Sequence, residues 1–295
     1  MKNKLFIVAI LLFVLTLTLS CSKEVNRIGI LSALPQELDG IEAKTLEKKI
    51  VKLGEDKFII GKIGNVPIVA TLSGMGKVNA AIAAQRLISN FNASAILFTG
   101  VAGGLSQTVE IGDVVLGLKI FQHDVGFLGD AFVRHAPGIL PEIGIGKDGP
   151  TIDKDMMKAW PQINDKDIVA TILEYEKGKP FSFEKVVVGG QAYAPKLKAG
   201  IVTTGDQFIA QEAKKEELRS LGADLVEMEG GAVAQVAERN NVPCLIIRSV
   251  SDKAGAHAQM DFEKFFSVVA KNNILIVADL LNNEKYAGYF NALLK

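Results

Sequence analysis

Continuous apolar runs recur along the chain, separated by stretches in which apolar residues return with helical spacing. The runs predict strands at Arg27 to Leu31, Lys57 to Ile63, Ile68 to Leu72, Ala95 to Thr99, Asp113 to Ile120, Ala199 to Thr203, Leu225 to Met228 and Cys244 to Val250. The periodic segments predict helices at Pro35 to Leu46, Lys77 to Phe91, Gln211 to Leu221, Gly231 to Asn240 and Phe262 to Leu281. This alternation is that of a sheet flanked by helices, and runs that are continuous rather than alternating belong to strands covered on both faces. The expected class is α/β. No internal repeat or low-complexity linker interrupts the pattern, so residues 26–285 are expected to form one domain.

Two segments break the pattern. At the start, Lys2 and Lys4 precede an unbroken apolar run from Leu5 to Leu15, which a Thr/Leu/Ser stretch carries on to Cys21. That is the pattern of an export signal. Small Ser20 before Cys21, with Leu17 and Leu19 close by, resembles the cleavage box of bacterial lipoproteins, although Thr18 stands where Leu is usual. An ordinary cleaved signal and an uncleaved anchor are the alternatives, the span being short for a transmembrane helix. Residues 1–20 are thus set apart as signal, Cys21 is the candidate for lipidation, and export to the cell envelope with attachment to a membrane is expected. The second irregular segment, His123 to Lys198, is punctuated by Gly126, Gly129, Pro137, Pro141, Gly149 and Pro150. It predicts long loops with one or two short helices, the kind of segment that supplies lids, substrate walls or subunit contacts.

Composition narrows the function classes. Lysine plus arginine and aspartate plus glutamate balance at 33 each, so there is no basic excess of the kind that marks a nucleic-acid footprint. Lys44, Lys48, Lys49 and Lys52 form a local basic group; it reads as a solvated face, with weak binding of an acidic glycan as the sharper alternative. Cys244 lies in an apolar run and reads as a small buried hydrophobe, and Cys21 and Cys244 cannot make a disulfide framework.

Chemistry is concentrated at strand ends. Val226-Glu227-Met228-Glu229-Gly230-Gly231 and Arg248-Ser249-Val250-Ser251-Asp252 both carry an apolar run into acidic and small residues, which delivers carboxylates to the edge where α/β enzymes build sites. Ser73 to Gly76 and Gly100 to Gly104 follow apolar strands as small-residue loops that let a ligand approach the backbone, or are tight turns without a ligand. Glu37 falls in the first turn of a helix opened by Pro35, where the helix dipole favours the ionised carboxylate.

Other motifs fail. Gly144 to Gly149 spells G-x-G-x-x-G, but Pro141 precedes it and Pro150 follows, where a dinucleotide loop needs a strand and a helix. Val78 occupies the position where a phosphate loop needs a hydroxyl. His123, His135 and His257 lie too far apart for a metal set, no G-x-S-x-G elbow is present, and no cofactor is expected.

Taken in order, Ile28 to Leu34 with Glu37, Ser73 to Lys77, Thr99 to Leu105, Gly205 to Ile209, Val226 to Glu229 and Arg248 to Asp252 resemble the bacterial 5'-methylthioadenosine/S-adenosylhomocysteine nucleosidases. The resemblance implies a three-layer sandwich with a central mixed β-sheet, as in nucleoside phosphorylases. It also implies hydrolysis of the N-glycosidic bond of both thio-nucleosides with release of adenine. By the same resemblance Asp252 is the acid that serves N7 of adenine and Glu37 the base that activates water, the two-carboxylate logic of an inverting glycosidase. Burial is expected to raise the Asp252 pKa. Ser251 and Arg248 are implied as supporting residues, the second near the water and Glu37. Glu229 corresponds to the acceptor for the ribose hydroxyls and Met228 packs on the sugar. Phe208 stacks on adenine, Ile209 and Gly103 contribute backbone, and Met75 and Phe262 form the apolar wall for the 5'-thio group.

The family forms homodimers in which a loop of one subunit closes the other's pocket, and His123 to Pro141 is the candidate here. This sequence departs from the pattern in an expanded 124–204 region, in Val101 where a serine is common, and in the export signal. The rivals are a purine nucleoside phosphorylase on the same fold and an exported polymer-binding surface protein that keeps the enzyme scaffold.

Overall fold

A computed structural model of the chain describes residues 25–129, 132–134, 144–146, 149–151 and 166–295. The expected signal segment, Cys21, His135 and parts of the candidate loop His123 to Pro141 lie outside the described residues. The strands are β1 (Arg27–Ser32), β2 (Leu46–Leu53), β3 (Asp56–Ile63), β4 (Val66–Leu72), β5 (Ala93–Gly104), β6 (Val114–Gln122), β7 (Gly126–Leu128), β8 (Phe132–Arg134), β9 (Gly144–Gly146), β10 (Gly149–Thr151), β11 (Val186–Val188), β12 (Gln191–Tyr193), β13 (Leu197–Thr204), β14 (Leu225–Glu227) and β15 (Cys244–Asp252). The helices are α1 (Pro35–Lys44), α2 (Lys77–Phe91), α3 (Lys166–Gly178), α4 (Glu212–Ser220), α5 (Gly230–Arg239), α6 (Ala258–Asn282) and α7 (Glu284–Leu293).

Nine strands form one mixed sheet in the order β14-β13-β6-β15-β5-β1-β4-β3-β2. Its centre is parallel, with β5 between β1 and β15, and the apolar runs there are buried on both faces, as continuous rather than alternating hydrophobicity requires. One face packs against α1, α3, α6 and α7 through residues such as Leu38, Ile172, Leu280 and Tyr286. The other packs against α2 and α5, whose Ala80, Ala83, Ala84, Ala232 and Ala234 let the helices lie close to the strands. The three-layer arrangement of the sequence reading is the one observed.

The far end of β5 does something the strand pattern did not announce. Gly100 to Gly104 does not form a loop: it continues β5 to 12 residues and pairs antiparallel with β14, Val226 opposite Gly103 and Leu225 opposite Gly104. Because β14 also pairs with β13, the strands β5, β15, β6, β13 and β14 close on themselves. Small residues permit the bend; added Cβ atoms at Gly103 and Gly104 would press on Asp252, Ala254, Val109 and Val250. The bend carries the C-terminal ends of β1, β5, β14 and β15 toward one point.

Other differences are local. α1 stops at Lys44, and Leu46–Leu53 is an exposed edge strand on β3. Its lysines suit an edge that must not recruit another strand. Lys48 bonds Glu42 at 3.1 Å, so part of the basic group is internally paired. Short helices expected in the irregular segment include α3, while α7 was not foreseen and adds Tyr286 and Phe290 to the core. Gly144–Gly146 and Gly149–Thr151 pair as a hairpin, unlike the strand-to-helix turn of a dinucleotide site.

Close approach of β2 to β3 requires Gly61, whose added Cβ would lie 2.4 Å from the Leu46 carbonyl oxygen. At Gly117 in β6 the nearest atom would be an ordinary 3.4 Å away. Urea denaturation is therefore expected to show Gly61→Ala destabilised by about 1–3 kcal/mol, as for overpacking elsewhere, and Gly117→Ala near neutral.

Candidate active site

The converging strand ends enclose a pocket of about 770 Å³, open mouth included. Its floor comes from Gly100 to Gly103 of β5 and its inner wall from Val226 to Glu229, following β14. Ser251 and Asp252 at the end of β15 form one side and Ala33 and Leu34, following β1, form another. Met75, Phe208 and Phe262 form an apolar mouth. Phe208 meets Phe262 edge-on at 6.0 Å between centroids, and Phe262 stacks on Phe266 at 5.3 Å.

Asp252 is held from two sides. Its Oδ1 accepts the Ala254 N–H at 2.7 Å and its Oδ2 the Ser251 hydroxyl at 2.9 Å. Ala254 makes its bond from a left-handed backbone, φ 51°, a conformation that costs a non-glycine residue on the order of 1 kcal/mol. Burial pushes the Asp252 carboxyl above the usual aspartate range despite those donors, in the direction expected from sequence. Glu229 precedes α5 and reaches across to accept the Gly76 N–H at 2.9 Å, joining the Ser73 to Gly76 segment to the wall. Burial, reinforced by the Glu227 charge and opposed by Arg248, raises its pKa to about 7.

Glu37 is fully buried and does not line the pocket. Its Oε2 accepts the Leu34 N–H at 3.2 Å and its Oε1 the Asn273 amide at 3.3 Å; the same Asn273 nitrogen donates to the Gly100 carbonyl at 2.8 Å. The carboxyl therefore stands beside Gly100 at the pocket floor. Burial raises its pKa to about 7, against the opposing pull of Arg248 and these hydrogen bonds. The shift is opposite to the one the helix dipole favours, because desolvation of a fully buried carboxylate outweighs a dipole effect that is of order 1 kcal/mol at a helix end.

Arg248 is also placed differently from expectation. Its guanidinium lies beneath the floor, fully buried, with Nη2 2.6 Å from Glu227 Oε2 and its plane over Phe98 at 4.0 Å. Its charge is felt by Glu37, but its hydrogen bonds go to Glu227 and to the Phe98 and Ile247 carbonyls. Glu227 in turn accepts the Glu229 and Gly230 N–H groups at 3.1 and 2.6 Å and the Thr204 hydroxyl. Gly103, Phe208, Ile209, Met228, Met75, Ser251 and Phe262 all line the pocket as anticipated.

The mouth is latched from outside. Asp124 accepts the Asp206 N–H at 2.9 Å and pairs with Lys77 at 2.6 Å, while Asp206 accepts the Lys77 N–H at 2.8 Å. This ties the described start of the candidate lid to α2 and to the Phe208 segment. Beneath it the His123 ring is buried against Gly205, and burial lowers its pKa to about 4, so it is neutral. Glu227, Asn273 and Gln207 belong to the site and were not among the residues proposed from sequence. Glu227 stood inside a quoted motif, whereas Asn273 sits mid-helix with no local signal. Among the described residues no group of three or more His, Cys, Asp or Glu is arranged to hold a metal.

Comparison with known proteins accords with this geometry. The sequence profile of the Phosphorylase superfamily matches residues 27–282. The chain belongs to that superfamily. Within it, the chain is 33% identical over 256 residues to the 5'-methylthioadenosine/S-adenosylhomocysteine nucleosidase of Mycobacterium bovis, covering 86% of this chain and 96% of the relative. It is 34% identical over 246 residues to the aminodeoxyfutalosine nucleosidase of Campylobacter jejuni, covering 83% and 93%. Among solved structures, the Neisseria meningitidis 5'-methylthioadenosine/S-adenosylhomocysteine nucleosidase in complex with methylthio-immucillin-A superposes with a TM-score of 0.69 at 28% identity, over 87% of this chain and 98% of that one. The profile match from residue 27 to residue 282 spans the sheet and every strand end that builds the pocket.

Two outcomes follow from the buried charges. Arg248→Met strands the Glu227 carboxylate inside the protein, and chemical denaturation should show a loss of about 3–5 kcal/mol. For Glu37, the folded pKa of about 7 lies above the ordinary 4.5, so its contribution to stability is intact below pH 4.5 and is lost as pH rises through 7. Relative to Glu37→Gln, the native protein should lose on the order of 3 kcal/mol across that window; parallel denaturation profiles for the two proteins would contradict it.

Proposed function

We propose that the pocket hydrolyses the N-glycosidic bond of 5'-methylthioadenosine and S-adenosylhomocysteine, releasing adenine with 5-methylthioribose or S-ribosylhomocysteine. The observation that carries this reading is the pair of buried carboxyls of raised proton affinity, Asp252 in the pocket side and Glu37 beside its floor. As the C1'–N9 bond breaks, its electron pair passes into the purine, where protonated Asp252 supplies a proton at N7. Ionised Glu37 takes a proton from the water whose oxygen bonds to C1'. Atoms and charge balance, and each carboxyl acts in the protonation state opposite to the other's.

The remaining roles follow from position. Glu229 accepts from the ribose hydroxyls, and its bond to Gly76 sets its direction. Met228 packs under the sugar, Phe208 stacks on adenine, and the Ile209 and Gly103 backbones meet the base. Met75 and Phe262 receive the 5'-thio group, for which a soft, adaptable methionine is suited. Ser251 holds Asp252, and Arg248 acts through its field and through Glu227 without touching substrate.

Phosphorolysis is disfavoured because phosphate recognition wants a free arginine near the small-residue segments, and Arg248 is committed to Glu227. The polymer-binding reading gains nothing from the site. The Campylobacter relative makes aminodeoxyfutalosine a substrate to assay in parallel, since the mouth where a 5' group would lie is apolar and open.

The proposal extends to assembly and location. Val78 and Ile82 of α2 and Leu128 of β7 are exposed apolar side chains, which a homodimer would cover. Lipidation at Cys21 after export would attach the enzyme to a membrane; Cys21→Ala should then release it to the soluble fraction.

Adenine release from the two thio-nucleosides is the direct assay. Asp252→Asn and Glu37→Gln are each expected to lower kcat by about 10²–10⁴-fold, the usual worth of a positioned proton transfer. kcat/KM should fall as pH drops below about 7, where Glu37 becomes protonated, and fall again at higher pH as Asp252 ionises. Full turnover by either variant, or ribose-1-phosphate formed on adding phosphate, would refute the assignment.

A further inference from the structure

Asn273 is fully buried in the middle of α6, twenty-one residues beyond Asp252 in sequence and assigned no part above in either proton transfer. An amide there needs a reason, because a polar group left unpaired in the core is destabilising. Both donors of this one and one of its two acceptor positions are filled. Oδ1 accepts the Ser249 hydroxyl at 2.8 Å, and Nδ2 donates to the Gly100 carbonyl at 2.8 Å and to Glu37 Oε1 at 3.3 Å. The orientation is settled by chemistry: a backbone carbonyl only accepts, so the nitrogen must face Gly100, which leaves the oxygen for the hydroxyl.

We propose that Asn273 is the positioning residue for Glu37, clamping the carboxylate oxygen to the pocket floor and favouring its ionised form. The inference rests on Glu37 being the base. Two features of this chain make the clamp matter. At the floor, Val101 offers no hydroxyl, and Arg248 spends its hydrogen bonds elsewhere. Among the described residues, Asn273 is accordingly the side chain that hydrogen-bonds Glu37, the Leu34 backbone holding the other oxygen. The same amide joins α6 to β5 and, through Ser249, to β15, so the base cannot shift without moving the floor.

The groups facing Glu37 are few. Arg248 from β15 is the cation, with Glu227 as its ion-pair partner and Glu229 as a second carboxyl under its field. The Ala33 and Leu34 backbone approaches from the β1 side, and α6 presents the Asn273 amide. Loss of the Asn273 donor removes a bond that lowers the Glu37 pKa, so the base should titrate higher.

The test compares wild type, Asn273→Ala and the isosteric Asn273→Asp. The Glu37 carboxyl is followed by carbon-13 NMR, and adenine release is measured as a function of pH. Asn273→Ala should raise the Glu37 midpoint and the acid limb of kcat/KM together by about one pH unit, the effect of one hydrogen bond to a carboxylate. It should also lower kcat at neutral pH by about 10-fold, with KM within about twofold. Asn273→Asp sets a second carboxyl against the first and should move both readouts further in the same direction. Ser249→Ala, which frees only the far end of the amide, should shift them less.

A carboxyl titration unmoved in a folded variant, or a fall in activity with the acid limb in place, would overturn the proposal and leave Asn273 as a packing residue. Failure of the Ala variant to fold hands the decision to Asn273→Asp, which keeps the volume. If wild type releases no adenine, the nucleosidase reading fails, yet the NMR titration still decides whether Asn273 sets the Glu37 proton affinity.

Discussion

One buried ion pair holds the site in shape. Arg248 from β15 and Glu227 from β14 meet where the sheet closes through β5, and neither side chain touches solvent to any useful extent. An isolated charge in such a place costs several kcal/mol, so each group forces the other to stay. The pair does more than cancel charge. Glu227 also takes the first N–H groups of α5 and the Thr204 hydroxyl, while Arg248 lies on Phe98 and on the carbonyls of β5 and β15. Four strands, β5, β13, β14 and β15, and a helix are thereby indexed to one another beside the pocket.

The same desolvation treats the neighbouring carboxyls differently because the cation has been taken. Glu227 receives the guanidinium directly; Glu229, Glu37 and Asp252 receive only neutral hydrogen-bond donors, and all three hold their protons more tightly than in water. A pocket with one satisfied carboxylate and three reluctant ones is suited to moving protons near neutral pH. That arrangement separates the site from the anion-binding floor of a phosphorolytic enzyme, in which the arginine would be free to meet phosphate.

Closure of the sheet explains the placement of the pocket-lining residues. Without the antiparallel step of β5 onto β14, Gly103 and Asp252 would lie at the edge of an open sheet, distant from Met228 and Glu229. The small residues of β5 read in sequence as a loop because glycine usually ends a strand. Here they extend one, and their lack of side chains lets Asp252, Ala254 and Val250 pack against its backbone. The edge strand β2 was misread for a related reason: a lysine-rich stretch after a helix offers no apolar period, and only the open edge of β3 recruits it.

The order of apolar runs and helical segments was enough to determine the α/β layers, the central strands and the strand ends at which the chemistry gathers, because burial on two faces writes continuous hydrophobicity into a strand. It was also enough to nominate Asp252 and Glu229, which end their strands or follow them within a residue or two; the aromatic mouth was implied only by the family resemblance of the ordered motifs. What it left undetermined is every relation between segments far apart along the chain. That burial raises the proton affinity of Glu37 against the pull of its helix, that Arg248 belongs to Glu227, and that Asn273 reaches Glu37 over more than two hundred residues are decided by solvent exclusion and by direction in space. Neither quantity has a local signature, since both arise only when the sheet has closed.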